Sequence, residues 1–281
     1  MSFVGKIGSY FVLVLWGVPT VYPLFWIVMN SFKDKRTIHS DSFSLPIGES
    51  FTLENYITAF QRINLLGAYR NSLIISTTVA VAVILLASLA AYVLVRYDFR
   101  LKGFLNNMII AGMMFPAFAT ILPVLRMMNV MGLTNTDQLS KSLLAVILPQ
   151  IAGNLSFAIV ILKGYIGTLP LELEEAAYME GSNIFQLFFQ VIMPLSKPSL
   201  ATVGIFSFVW SYNDLFTQSF FLKRKPEYSV TVLLSLLTSQ EGTNYGLMAS
   251  SVSLIIMPLL ITYLLLQKYI IKGMTVGALK G

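Results

Sequence analysis

The amino-acid sequence predicts an all-α integral membrane protein with six transmembrane helices, and three observations predict it. The chain has 281 residues, of which 56% are hydrophobic and only 11% charged, with a mean hydropathy of +0.74. A soluble domain carries about 45–50% apolar and about 25% charged residues, so lipid must be the solvent for much of this one. A bilayer core about 30 Å thick takes roughly 20 apolar residues per helical crossing. Six charge-poor stretches are long enough: 7–29, 71–95, 104–125, 142–162, 200–222 and 246–266. A helix satisfies its own backbone hydrogen bonds in hydrocarbon, which makes it the economical form for each stretch. Disordered, collagen-like and coiled-coil chains are excluded by the same composition.

The first stretch is too long for a signal-peptide core and has no small-x-small cleavage site, so it is expected to be retained as a span. Residues 30–70 follow as a long mixed loop, with Asp34, Asp41, Glu49 and Glu54 among basic residues and a short surface helix expected over 53–61. Arg96, Arg100 and Lys102 mark a tight basic turn after the second span. Pro19, Pro23, Pro116, Pro123, Pro149 and Pro258 lie inside spans or near their ends. They free carbonyls and kink helices in a way that packed neighbours tolerate. Residues 163–198 and 223–245 are the remaining long polar connections.

The formal net charge of +6 is dispersed between the apolar runs, which suits membrane headgroups better than nucleic acid. Both termini fall on one side of a six-span bundle. Lys and Arg divide nine to ten between the two sides, so charge counting alone leaves the orientation open. Without cysteine there is no disulfide, thiol nucleophile or thiolate metal site. The single histidine, His39, is read as a solvated loop residue and makes no metal cluster. No Gly-x-x-x-x-Gly-Lys-Ser/Thr loop occurs, so the chain is not expected to hydrolyse ATP, and no cofactor is implied.

Residues 163–198 read as a helical hairpin. Pro170 can occupy a helix's first turn. Glu172, Glu174 and Glu175 crowd the N-terminal half, where the helix dipole favours them. Ala176 and Ala177 permit close approach by another backbone, and Gly181 ends the helix because glycine enters the left-handed region freely. Asn183 with Gln186 has capping-box spacing for a second helix, whose apolar face reads Phe185, Phe188, Phe189 and Ile192 until Pro194 stops it. Such a hairpin either plugs a partner's groove or rests on lipid as an interfacial amphipathic helix. Its acidic residues argue against lipid, because anionic headgroups repel them.

Glu175-Ala176-Ala177, three residues, Gly181, nine residues and Val191-x-Met193-Pro194 together resemble the EAA motif of ATP-binding cassette (ABC) importer permeases. The family pattern ends Ile-x-Leu-Pro, so Val191 and Met193 are departures, and Glu180 stands where Asp is usual. Ser31-Phe32-Lys33, Ala90-Ala91-Tyr92 leading to Arg96, Trp210 with Asn213-Asp214, and the tail 273–281 are similar to the carbohydrate-uptake, MalG-like half. Among relatives the likeness is greatest to Gram-positive permeases for raffinose, melibiose and other oligosaccharides.

The resemblance covers nearly the whole chain and implies a type I ABC importer permease fold, in the cytoplasmic membrane of a bacterium with both termini cytoplasmic. Residues 1–70 would be an N-terminal transmembrane helix and extracytoplasmic loop. Residues 71–268 would be a five-helix permease core including the EAA loop 163–198, and 269–281 a cytoplasmic tail. Glu175, Ala176, Ala177, Glu180, Gly181 and Pro194 would couple the chain to its ATPases. The implied partners are a second, MalF-like permease, two ATP-binding subunits and an extracytoplasmic sugar-binding protein.

Asp214 is the one acidic residue inside a predicted span. Insertion scales charge about 2.5–3.5 kcal/mol for an Asp at mid-helix. Asn213 and Asp214, with Trp210, are therefore candidates for the translocation pathway; the alternative for Asp214 is a buried hydrogen-bonded packing group. Other classes fit less well. An ion-coupled secondary transporter would show repeats and more intramembrane charges, and a membrane enzyme would show clustered catalytic residues.

Overall fold

The structure is a computed structural model that describes residues 3–62, 64–240, 244–257, 260, 261 and 264. The expected tail 269–281, Pro258 and the end of the sixth predicted span lie outside the described residues. Among the described residues the chain is helical and forms no strand, only an isolated bridge between Lys33 and Phe51. The helices in chain order are α1 (Phe3–Ser31), α2 (Lys35–Ser40), α3 (Glu54–Arg62), α4 (Leu65–Arg96), α5 (Lys102–Met114), α6 (Ala117–Val130) and α7 (Leu139–Ile166). They continue as α8 (Glu172–Met179), α9 (Ile184–Gln186), a π-helical turn (Leu187–Ile192), α10 (Met193–Leu195), α11 (Lys197–Asn213), α12 (Leu215–Phe221) and α13 (Val230–Gln240). A last apolar helix, α14, covers Tyr245–Met257.

Three of these helices, α1, α4 and α7, are single runs long and apolar enough to cross a membrane. Two bent pairs raise the number to as many as five, and α14 is shorter. The third predicted span is not one helix. Pro116 has no N–H and drives Phe115 into an extended conformation (φ −75°, ψ 119°), so the run splits into α5 and α6. The fifth predicted span also breaks, at Asp214, into α11 and α12. The polar connection 223–245 contains an unexpected helix, α13, whose Val230 and Val232 are buried. The surface helix expected over 53–61 appears as α3.

The described residues form two compact units, one within 1–65 and 233–262, the other within 66–232. In the first, Asn55 organises the polar contacts. Its side-chain amide donates to the carbonyls of Ser31 (3.0 Å) and Lys33 (2.8 Å), and its backbone carbonyl accepts from the Ser250 hydroxyl. Gly246 lies against that amide, where a Cβ would come within 2.7 Å of Asn55 Nδ2. Lys33 is wholly buried and donates through Nζ to the Asp41 carbonyl; burial lowers its pKa from the ordinary lysine value. His39 is exposed on α2, its ring edge-on to Tyr245.

The second unit carries the larger core. Ile75, Val79, Val83 and Ala87 of α4 are fully buried with Ala145, Val146, Ala158 and Leu162 of α7 and Val203 of α11. The buried positions on α4 recur at three- to four-residue intervals, as one face of a helix demands. Small residues let backbones approach: a Cβ on Gly204 would fall 2.8 Å from Ile84 Cδ1. The remaining faces of these helices expose large apolar side chains, as a bilayer solvent permits.

Candidate functional site

The connection between α7 and α11 is an elbow of two helices. Leu171 begins the first, accepting through its carbonyl from the N–H groups of Glu174 and Glu175. Pro170 stands one residue earlier, just outside the helix. Glu172, Glu174 and Glu175 occupy the first turn of α8. The helix ends in a Schellman motif. The Ser182 N–H donates to the Ala177 carbonyl and the Gly181 N–H to that of Tyr178, both at 3.0 Å, with Gly181 at φ +85°. The second helix opens with the expected box: Asn183 Oδ1 accepts from the N–H groups of Phe185 and Gln186, and Gln186 Oε1 accepts from the Asn183 N–H.

The apolar face of that second helix is partly different from the one expected. Phe188 and Ile192 are buried, but Leu187 joins them while Phe185 and Phe189 are exposed. From Leu187 to Ile192 the helix is π-helical, which changes the angle between successive side chains within that turn; Phe185 lies before it in α9. Pro194 has no N–H to offer the preceding turn, and Met193 instead donates to the Phe188 carbonyl, five residues back. The chain runs on to Leu195 and bends by 78° into α11.

The first helix has two faces. Glu174 and Ala177 are buried, while Glu175, Ala176, Met179, Glu180 and Gly181 are exposed. Ala177 is thus turned into the chain's own core, not presented outward beside Ala176. Glu174 is held by the end of α4. Arg96 Nε donates to Glu174 Oε1 at 2.5 Å and the Tyr92 hydroxyl to Oε2 at 3.0 Å. Arg96 Nη2 reaches the Leu169 carbonyl at 2.8 Å. The two charged side chains are 9% and 8% exposed, so little water competes with them. The Tyr92 ring also lies 5.5 Å from Phe188. Hydrogen bonding to Tyr97 raises the Tyr178 phenol above its ordinary range.

A second polar cluster surrounds the break at Asp214. The Asp214 side chain caps α12 by accepting from the Thr217 N–H at 2.9 Å, and its other oxygen accepts from Gln150 Nε2 at 2.8 Å. Gln150 Oε1 accepts from the Ser211 hydroxyl, and Gln218 Nε2 donates to the Ser211 carbonyl. The carboxylate is half-buried and satisfied. Asn213 is exposed, and Trp210 is 51% exposed, stacked obliquely on Phe157 at 5.3 Å. Asp214, Gln150 and Ser211 therefore stand together, while Asn213 points away from that network. Among the described residues no three His, Cys, Asp or Glu side chains converge as a metal site would require.

Sequence reasoning missed the Tyr92–Arg96–Glu174 cluster and the role of Gln150. A signal for the first was present: Tyr92 and Arg96 are four residues apart on one helix and share a face, and Glu174 falls three residues before Ala177.

Residues 83–276 match the family described as binding-protein-dependent transport system inner membrane component. The chain is 30% identical to the melibiose/raffinose/stachyose import permease protein MelC of Bacillus subtilis, over 92% of this chain and 91% of that one. It is 29% identical to the diacetylchitobiose uptake system permease protein NgcG of Streptomyces coelicolor, over 97% and 88%. Its fold is similar to a chain in the crystal structure of a bacterial ABC transporter involved in the import of the acidic polysaccharide alginate, with a TM-score of 0.79, 20% identity and 95% and 96% coverage. A second crystal structure, of a bacterial alginate ABC transporter with an alginate pentasaccharide-bound periplasmic protein, gives a TM-score of 0.60 at 16% identity, over 95% and 98%.

Proposed function

The chain belongs to the inner-membrane components of binding-protein-dependent transport systems, and from that premise we propose that it forms half of the pathway of an ATP-driven importer for a sugar or oligosaccharide. Relatives that import melibiose, raffinose, stachyose and diacetylchitobiose support the cargo class. ATP hydrolysis belongs to separate subunits, since this chain has no phosphate loop. The complete assembly comprises a second permease, two ATP-binding subunits and an extracytoplasmic sugar-binding protein. The chain crosses the membrane six times with both termini cytoplasmic: α1, α4, the α5–α6 pair, α7, α11 with α12, and the helix that begins at Tyr245.

The carrying observation is the two-faced elbow. Its inner face, Glu174 and Ala177, is fastened to the bundle, and its outer face, Glu175, Ala176 and Glu180, is free to meet a partner. On this reading α8 is the coupling helix that docks in a groove of an ATP-binding subunit, and Glu175 meets basic groups there. Gly181 and Pro194 set the angles of the corner. Trp210 and Asn213 face the translocation cavity, and Asp214 holds open the break in the α11–α12 span beside them.

Gly181→Val, which forces a branched side chain into the left-handed region, is expected to leave membrane insertion intact and to uncouple ATP hydrolysis from uptake in vesicles. Normal uptake by that variant overturns the coupling role of the elbow. Gentle-detergent capture of the chain is expected to bring down a second permease and a nucleotide-binding subunit, and solute uptake by the chain reconstituted without any ATPase would point to an ion-coupled carrier instead. Asp214→Ala with unchanged uptake and unchanged basal ATPase would remove Asp214 from the pathway.

A further inference from the structure

We infer that Arg96, Glu174 and Tyr92 form a latch that makes α4 the receiver of the elbow's movement. A displacement delivered to the outer face of α8 then enters the bundle through this polar clamp, in addition to the covalent connections on either side. The inference rests on the reading of α8 as a coupling helix and adds the residues that carry its motion onward.

The covalent exits from α8 are turns. On one side lie Gly167 and Pro170; on the other, the left-handed corner at Gly181. The clamp is stiffer. A guanidinium is planar and presents its donors in a fixed fork, and Arg96 uses that fork on two elements at once, the Leu169 carbonyl of the entry turn and Glu174 of α8. Tyr92, one turn earlier on α4, occupies the other Glu174 oxygen. Both carboxylate oxygens are thus held by α4. Sliding α8 past α4 would strand two opposite charges where their side chains are less than a tenth exposed, so the two helices move together.

The clamp also has somewhere to send the motion. α4 is an unbroken helix of 32 residues, about 48 Å long at 1.5 Å per residue. Near its other end, Asn71 donates to the carbonyls of Pro226 and Tyr228, and Ser72 Oγ accepts from the Val230 N–H. One rod therefore joins the elbow to the loop that precedes α13. Phe188 against the Tyr92 ring ties the second elbow helix to the same rod. Beside the latch, hydrogen bonding to Tyr97 raises the Tyr178 phenol above its ordinary range.

The test is the number of ATP molecules hydrolysed per sugar imported by the assembled complex in proteoliposomes. Arg96→Lys, which keeps the charge but loses the fork, and Glu174→Gln are each expected to raise that number by about tenfold, within the range of measured coupling between sites. The yield of assembled Arg96→Lys complex, which keeps the pair charged on both sides, should not change, and Tyr92→Phe should do less. The chain has no cysteine, so Arg96→Cys with Glu174→Cys can be bridged by a cleavable bifunctional thiol reagent spanning the original pair. Bridging should restore tight coupling and reductive release should abolish it in the same molecules, a reversal that a merely structural role would not produce. A wild-type ATP-to-sugar ratio in both single variants, or bridging without effect on it, overturns the latch. Glu175→Arg separates the two readings: if it uncouples while the latch variants do not, only the latch fails; if it transports normally, the coupling helix itself fails.

Discussion

Two carboxylates are buried toward opposite ends of α7, and they are satisfied in opposite ways. Glu227 bonds the first turn of α7 through the Ser142 hydroxyl at 2.8 Å. Its other partners are its own neighbours: the N–H groups of Lys223 and Arg224 at 3.1 Å and Arg224 Nε at 2.7 Å. Glu174, beyond the last turn of α7, draws its side-chain partners from α4, 78 and 82 residues away in sequence. Most of the Glu227 bonds stay within its own loop, with the Ser142 hydroxyl of α7 as the distant partner, so the arrangement mainly stabilises a local shape. The Glu174 arrangement ties two elements that the chain does not connect directly, so it can pass a displacement between them. Arg224 is 39% exposed and also reaches Asp137 and the Thr136 carbonyl; Arg96 is enclosed.

That contrast sets an order of expected effects. Arg96→Ala leaves the Glu174 carboxylate buried without its counter-charge and should cost about 3–5 kcal/mol, read by thermal unfolding of the detergent-solubilised complex. Arg96→Ala with Glu174→Ala should cost less than the sum of the two single changes, because the pair is then removed whole. Glu227→Ala should cost less, about 1–3 kcal/mol, since Arg224 can turn to Asp137 and water while two backbone N–H groups lose their acceptor. An equal loss from Glu227→Ala and Arg96→Ala would erase the distinction between local and distant satisfaction. Gly181→Ala should cost about 1 kcal/mol, all of it conformational, because a Cβ there would meet nothing within 4 Å. Glu175→Ala should change stability by less than about 0.5 kcal/mol, yet weaken co-purification of the ATP-binding subunit.

Much of the elbow was legible beforehand. Gly181 as a helix-ending glycine and the Asn183–Gln186 box follow from local backbone chemistry, which operates within a few residues and therefore leaves its mark in short spacings. Less legible was the direction each carboxylate takes. Glu174 and Glu175 are adjacent, and helical periodicity separates their directions by about 100° without saying which side meets the bundle. The breaks at Phe115–Pro116 and at Asp214 were also not foreseen as breaks. Proline occurs in many continuous membrane helices, and an Asp in an apolar run reads equally as a pathway residue or a cap. Gln150, whose amide meets Asp214, is 64 residues distant and carried no local signal.

From residue order alone came the membrane as solvent, the placement of the long apolar helices and the presence of a glycine-cornered hairpin between two of them. These depend on composition, run length and nearest-neighbour chemistry, all written along the chain. Which glutamate faces inward, which arginine holds it, and where two spans divide depended on the packed bundle. Burial and charge pairing join residues that are dozens of positions apart, and the free energy of a buried charge is set by whatever the fold places beside it.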